Sequence, residues 1–122
     1  MRTLEDFGVE GKRIPECTGV WVSAQRDWSH PRGDAKIAAI GIKVSKWVTM
    51  HGLAFNVAPD MRMFEGIIPC GLSGRPVTSL ADVLGRPIGV DEVIEPVLRH
   101  VEEVFGLACE RTTWDAVLER AA

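Results

Sequence analysis

AKIAAIGIKV, residues 35–44, is the stretch whose reading decides the fold. It is apolar, rich in isoleucine and short, which marks it as a strand. Alternate side chains of a strand share a face. That predicts Lys36, Ala38, Ile40, Ile42 and Val44 on one side, with the lysine at the head of an otherwise apolar row. Ala39 and Gly41 fall on the other side. Both are small, and a small residue in a strand lets another backbone or a ligand come close.

Upstream, residues 18–22 (TGVWV) form a second β-branched and aromatic run and read as a strand. Residues 25–34 (QRDWSHPRGD) are polar, contain Pro31 and Gly33, and read as a hairpin loop. Leu4 and Phe7 followed by Gly8 read as the last turns of a helix. Downstream, residues 45–47 make a short connection and residues 48–57 (VTMHGLAFNV) a third strand, interrupted by Gly52. Pro59 and Asp60 mark a turn, and residues 61–65 one helical turn stopped by Gly66. Next comes IIPCGL, residues 67–72. Pro69 lacks an N–H, so Cys70 is expected in a loop or at a sheet edge.

Helices fill the remainder. Ser79 is a cap-like signal for a short helix ending before Gly85. Residues 91–105 form the clearest helix, with Asp91 as its cap, Pro96 near its first turn and Gly106 as its stop. Ile94, Val97, Leu98, Val101, Val104 and Phe105 have the 3–4 spacing of one buried stripe. Residues 112–122 read as a last helix with Trp114, Val117 and Leu118 inward. Strands joined by short connections, then helices, predict an α+β fold: a mainly antiparallel sheet with helices packed on one face. A length of 122 residues fits one domain, 1–122.

Composition excludes several classes. No apolar run approaches the ~20 residues of a membrane helix, and residues 1–10 lack the pattern of a secretion signal. Net charge is −3 with scattered basic residues, which argues against nucleic acid. Cys17, Cys70 and Cys109 are odd in number and widely spaced, unlike a disulfide framework, and suit a reducing, cytoplasmic setting. With His30, His51 and His100 they show no short ligand spacing, so no metal site is expected. Residues 71–74 are not a phosphate loop, because no lysine and helix follow as such a loop requires. Cys17 and Cys109 are expected as buried thiols, and His51 as a hydrogen-bonded structural residue. Arg99, Glu102 and Glu103 are expected on a solvated helix face. On residue chemistry alone the bland readings lead: Cys70 as a core thiol and Lys36 as a strand-end lysine with its stem on apolar surface.

Five strings change that balance. TGVWV (18–22), KIAAIGIKVS (36–45), TMHGLAFNV (49–57), IIPCGL (67–72) and VTSL (77–80) occur in order and at close spacing. Together they resemble the lipoyl(octanoyl) transferase family, the octanoyltransferases of lipoate biosynthesis, over most of residues 4–105. The resemblance implies the C-terminal portion of a biotin/lipoate ligase-like catalytic domain. It implies transfer of an octanoyl group from octanoyl-acyl carrier protein to a lysine of a lipoyl domain. The acceptors would be 2-oxoacid dehydrogenase E2 subunits and the glycine cleavage H protein. Cys70 matches the family's acyl-thioester cysteine, and Lys36 the lysine that lowers its pKa. Ala39, Ile40 and Gly41, and Gly52, Leu53 and Ala54, match two substrate-contacting backbone strings. No cofactor is implied, because a thioester donor is already activated and ATP is not needed. The family's upstream Arg-Gly-Gly … His-Gly-Pro-Gly motif has no match among these 122 residues, and Trp28 and His30 match no family role.

The chemistry is energetically reasonable. A free cysteine has a pKa of ~8.5, so little thiolate is present at pH 7. Lowering it by ~2 units takes ~2.7 kcal/mol. One ammonium at contact distance is worth ~4 kcal/mol at an effective dielectric of 20. The N–H groups beside Cys70 and Gly71 are the expected oxyanion donors. Rival readings are an inactive or complementation-dependent fragment, an ATP-using ligase of the same fold, and a non-catalytic acyl-binding module. Cys70 in its PCG string argues against the ligase.

Overall fold

β1 (Gly11–Ile14), β2 (Cys17–Ser23), β3 (Asp34–Ser45) and β4 (Val48–Phe55) pair in chain order as an antiparallel sheet. The computed structural model describes residues 1–23, 33–64 and 76–121. Cys70, its PCG string, Gly66, Trp28, His30 and most of the expected loop at 25–34 lie outside the described residues. β1 is an addition to the sequence reading. Its segment GKRI holds one large apolar residue, too few to show a period. Glu16, at a left-handed φ of 63°, turns the chain from β1 into β2.

β3 and β4 form a long hairpin in unbroken register from Ala38↔Phe55 to Ser45↔Val48. Lys46 and Trp47 connect them, with φ of 50° and 64°. Two successive left-handed residues are the type I′ geometry, whose twist matches that of the flanking strands. The inner end of β3 is buried and its outer end is exposed.

Among the described residues four helices accompany the sheet: α1 (Arg2–Asp6), α2 (Leu80–Leu84), α3 (Val90–Phe105) and α4 (Trp114–Ala121). A 3₁₀ turn spans Met61–Phe64. Leu4 of α1, Leu80 of α2 and Val93 of α3 meet Val22 and Ile37 of the sheet, with Val57, in one core. The fold is therefore α+β, with the helical residues gathered on the sheet face that carries Val22 and Ile37. Ser79 caps α2 as expected: its Oγ accepts the Asp82 N–H, and Gly85 ends the helix at a φ of 63°. Gly106 ends α3 in the same left-handed way.

Some expectations need correction. Gly89, not Asp91, is the N-cap of α3, and Glu92 accepts the Gly89 N–H at 2.8 Å. The buried side of α3 centres on Val93 and Val97, whereas Ile94, Val104 and Phe105 are exposed. The reason is position: only the first turns of α3 lie over the core, and the helix runs on past it. Trp114, Val117 and Leu118 of α4 are likewise exposed rather than inward, because no described element covers that face. Cys17 is buried, but Cys109 is exposed, its N–H donating to Glu102 after the helix has ended. Arg99 and Glu103 are not merely solvated. They pair with Asp6 and Arg2 and tie α3 to α1. His51, expected as a hydrogen-bonded structural residue, is exposed and sits at a left-handed φ of 71°.

Candidate active site

Lys36 sits where three chain segments converge. β4 ends at Phe55, opposite Ala38, and leaves the next stretch of the β3 edge open. Residues 76–78 fill it. The Lys36 N–H donates to the Pro76 carbonyl, the Thr78 N–H donates to the Lys36 carbonyl, both at 2.9 Å, and Lys36 bridges Val77 in parallel. Asn56 makes this possible. Its N–H donates to the Ile37 carbonyl, its side-chain Nδ2 to the Thr78 carbonyl at 3.0 Å, and its own carbonyl accepts from Leu80. With Trp21 across on β2 and Val77 on the other edge, Lys36 is a central strand residue, only 6 % exposed.

A β-bulge decides which way the lysine points. β2 pairs Trp21 with Lys36 but Val20 with Ala38, so Ile37 is an extra residue on β3. An extra residue in one strand breaks the simple alternation of faces. Val20 and Trp21 are adjacent and face opposite ways, so their partners Ala38 and Lys36 do too. The expectation that Lys36 tops the row of Ala38, Ile40, Ile42 and Val44 is thus overturned by one inserted residue. Lys36 instead shares its face with Gly19 and Trp21, and beyond the bulge with Ala39 and Gly41.

The side chain itself is closely held. Its Nζ lies 4.9 Å from the centroid of the Trp21 ring, a cation–π distance. Trp21 is almost wholly buried and its Nε1–H donates to the Cys17 carbonyl at 3.0 Å. The aliphatic stem crosses Gly19. A Cβ on Gly19 would stand 3.2 Å from Lys36 Cε and 2.7 Å from the Ala38 carbonyl oxygen, and its φ of +138° is one L side chains rarely adopt. Sequence reading singled out neither Gly19 nor Trp21 in its own right. The available signal was a glycine one residue before a valine and a tryptophan inside a strand.

The six residues matched to substrate-contacting strings come together as three adjacent cross-strand pairs: Ala39↔Ala54, Ile40↔Leu53 and Gly41↔Gly52. Paired residues share a face. Ala39, Gly41, Gly52 and Ala54 therefore form a square of four small residues on the Lys36 side of the hairpin. Ile40 and Leu53 fall on the opposite side and are exposed there. Among the described residues nothing lies within 4 Å of an added Cβ at Gly41 or Gly52. The result is a smooth strip of small residues on the same face as the buried Lys36 side chain. Among the described residues no group of His, Cys, Asp and Glu side chains could hold a metal ion, and no helix is long and apolar enough to cross a membrane.

The antiparallel sheet carries a buried lysine on one face and helices on the other, and the chain belongs to the lipoyl protein ligase A/B catalytic domain family, whose model matches residues 1–102. Among curated proteins it is similar to the octanoyltransferase of Nostoc punctiforme, at 48 % identity over 107 residues, 88 % of this chain and 42 % of that protein. It is similar also to the octanoyltransferase of Solibacter usitatus, at 48 % over 103 residues, 84 % of this chain and 41 % of the relative. The Agrobacterium fabrum octanoyltransferase is 44 % identical over 115 residues, 92 % of this chain and 42 % of its own. The chain spans less than half the length of these relatives.

Proposed function

We propose that residues 1–122 are the C-terminal portion of a cytoplasmic octanoyltransferase catalytic domain that moves an octanoyl group through a thioester on Cys70. The donor is octanoyl-acyl carrier protein. The acceptors are lysines on the lipoyl domains of 2-oxoacid dehydrogenase E2 subunits and on the glycine cleavage H protein. The observation that carries the reading is the burial of Lys36 beside residues 76–78, which bridge it on the open edge of β3. Pro76, whose carbonyl accepts the Lys36 N–H, follows Cys70 by six residues in the sequence. The names of the similar proteins support the octanoyl group over other acyl cargo.

The steps balance as follows. Cys70 Sγ, as thiolate beside the Lys36 ammonium, attacks the carbonyl carbon of the donor thioester. The carbon–sulfur bond to the carrier breaks, and the departing carrier thiolate takes a proton from Lys36. The acyl group now waits on Cys70. The acceptor amine attacks that thioester, its proton passes to Lys36, the amide forms and the Cys70 thiolate leaves. The strip of Ala39, Gly41, Gly52 and Ala54 gives the acyl chain a floor without side-chain obstruction, since close approach is what glycine permits. No metal or ATP enters any step.

Mass spectrometry after mixing the chain with octanoyl-carrier protein tests this. The expected result is one octanoyl adduct, mapped to the peptide containing Cys70 and absent in Cys70→Ser. An adduct that persists in Cys70→Ser overturns the nucleophile. A second reading, in which transfer needs a complementing chain, is favoured by the exposed Ile42, Val44, Val48 and Leu53 on the outer hairpin. It predicts no adduct on this chain alone although Cys70 remains alkylatable.

A further inference from the structure

Burying an ammonium is costly unless something replaces its hydration. Lys36 is buried, yet its stem and its charge both have a shaped place to go. The indole face of Trp21 lies 4.9 Å from Nζ. Trp21 is fixed in turn, through Nε1–H to the Cys17 carbonyl. Gly19, two residues earlier on the same face of β2, leaves open the volume that the lysine stem occupies, and any Cβ there would press on Cε and on the Ala38 carbonyl. The two β2 residues thus act on different parts of one side chain. Trp21 attracts the charged end, and Gly19 admits the stem that delivers it.

From this we infer that Gly19 and Trp21 are positioning residues that seat the Lys36 ammonium for its work on Cys70. The inference rests on the reading of Lys36 given under Proposed function, and it adds where the lysine's precision comes from. A lysine has four rotatable side-chain bonds and a compact charge. Without a seat, the ammonium would sample positions in which the thiolate gains little. The aromatic face attracts the cation and fixes where its positive field falls for the thiolate and for the departing carrier sulfur.

Two measurements on the full chain test the seat. The first reads the unaltered chain and uses a variant only to assign the signal. In a proton–carbon NMR spectrum, the ring current of Trp21 should shift the Lys36 ε-methylene upfield of those of Lys12, Lys43 and Lys46, with the signal assigned by its loss in Lys36→Met. Coincidence with the other three lysines would overturn the seat. The second is the pH profile of Cys70 alkylation, read by peptide mass spectrometry. Trp21→Leu should slow alkylation at pH 7 by about tenfold and move the midpoint to higher pH, the size expected for a desolvated cation–π contact. Trp21→Phe, which restores an aromatic face, should recover most of the rate, and Gly19→Ala should behave like Trp21→Leu. Folded Trp21→Leu with an unchanged profile sinks the seat, provided Lys36→Met does shift it. If Lys36→Met itself changes nothing, the lysine–cysteine pairing has failed and takes the seat with it. Should Trp21→Leu not fold, the NMR shift and the Trp21→Phe profile decide.

Discussion

Gly41 and Gly52 face each other across β3 and β4, and among the described residues neither has a neighbour where its Cβ would be. A strand glycine costs roughly 0.5–1 kcal/mol relative to alanine, so two of them opposite one another are a burden to the hairpin. Filling the space should separate stability from function. Gly41 has no unusual φ, so Gly41→Val fits the backbone and should raise stability by about 1 kcal/mol in urea titration. The same side chain would stand on the proposed acyl floor, and octanoylation of Cys70 should fall by about tenfold or more, the penalty of a misfit in an apolar site. A stabilised variant with unimpaired octanoylation would remove the floor from the mechanism. The smallness of Ala39 and Gly41 was legible in the sequence, and so was the placing of Lys36 at the head of the strand. Which face the lysine takes was not legible. A bulge depends on pairing with β2, and one strand's pattern carries no trace of an extra residue in the ladder.

The segment around residues 76–80 behaves as an element although it makes only an isolated bridge. Asn56 is its anchor, since one side-chain hydrogen bond to the Thr78 carbonyl joins the end of β4 to the stretch that lines Lys36. Asn56→Leu leaves that buried carbonyl with one partner fewer and should cost about 1–3 kcal/mol. Because the segment follows Cys70 in the chain, the same variant should also slow Cys70 alkylation. Normal alkylation in a destabilised Asn56→Leu would show that the segment serves stability alone. At the other end of the sheet, Lys46 and Trp47 occupy two left-handed positions that suit asparagine and glycine. Trp47 is almost fully exposed and gives up little packing. Trp47→Gly should therefore stabilise the hairpin by about 1 kcal/mol, seen as a higher unfolding midpoint. Caps were the readable part of the elements: Ser79, Gly85 and Gly106 act where the sequence marks them. Faces were less readable. Trp114, Val117 and Leu118 have the spacing of a buried stripe, but periodicity states only that a helix has an apolar side and not what lies against it.

Across the whole molecule, residues about a hundred positions apart are held together by charge. Arg99 donates to Asp6 at 2.6 Å, His100 places Nε2 2.8 Å from Asp6 and Nδ1 3.0 Å from Glu103, and Arg2 reaches Glu103 at 3.4 Å. This network docks α1 on α3 and so helps close the core over Leu4 and Val93. No spacing rule could have found it, because each partner is ordinary within its own helix. The family strings mark the sheet and the site, and they stop short of these contacts. The hydrogen bond with His100 is the largest cause that lowers the Glu103 pKa below its ordinary value of 4.5, with the charges of His100, Arg2 and Arg99 adding to it. A carboxylate whose folded pKa is lowered stabilises the fold when ionised. The contribution is fully present above the unfolded value near 4.5 and is lost as pH falls through the lower folded value. Glu103→Gln removes the charge at every pH. The variant should therefore melt below the parent chain at pH 7, and the gap should close at pH values under the folded pKa, where the parent's Glu103 is protonated as well. Glu103 is exposed, so the gap should also shrink in high salt. Melting curves for both chains, taken in steps from pH 7 down through the acid range, measure this directly. A gap as wide in acid as at neutrality would mean that the side chain's packing, and not its charge, secures the first helix to the third.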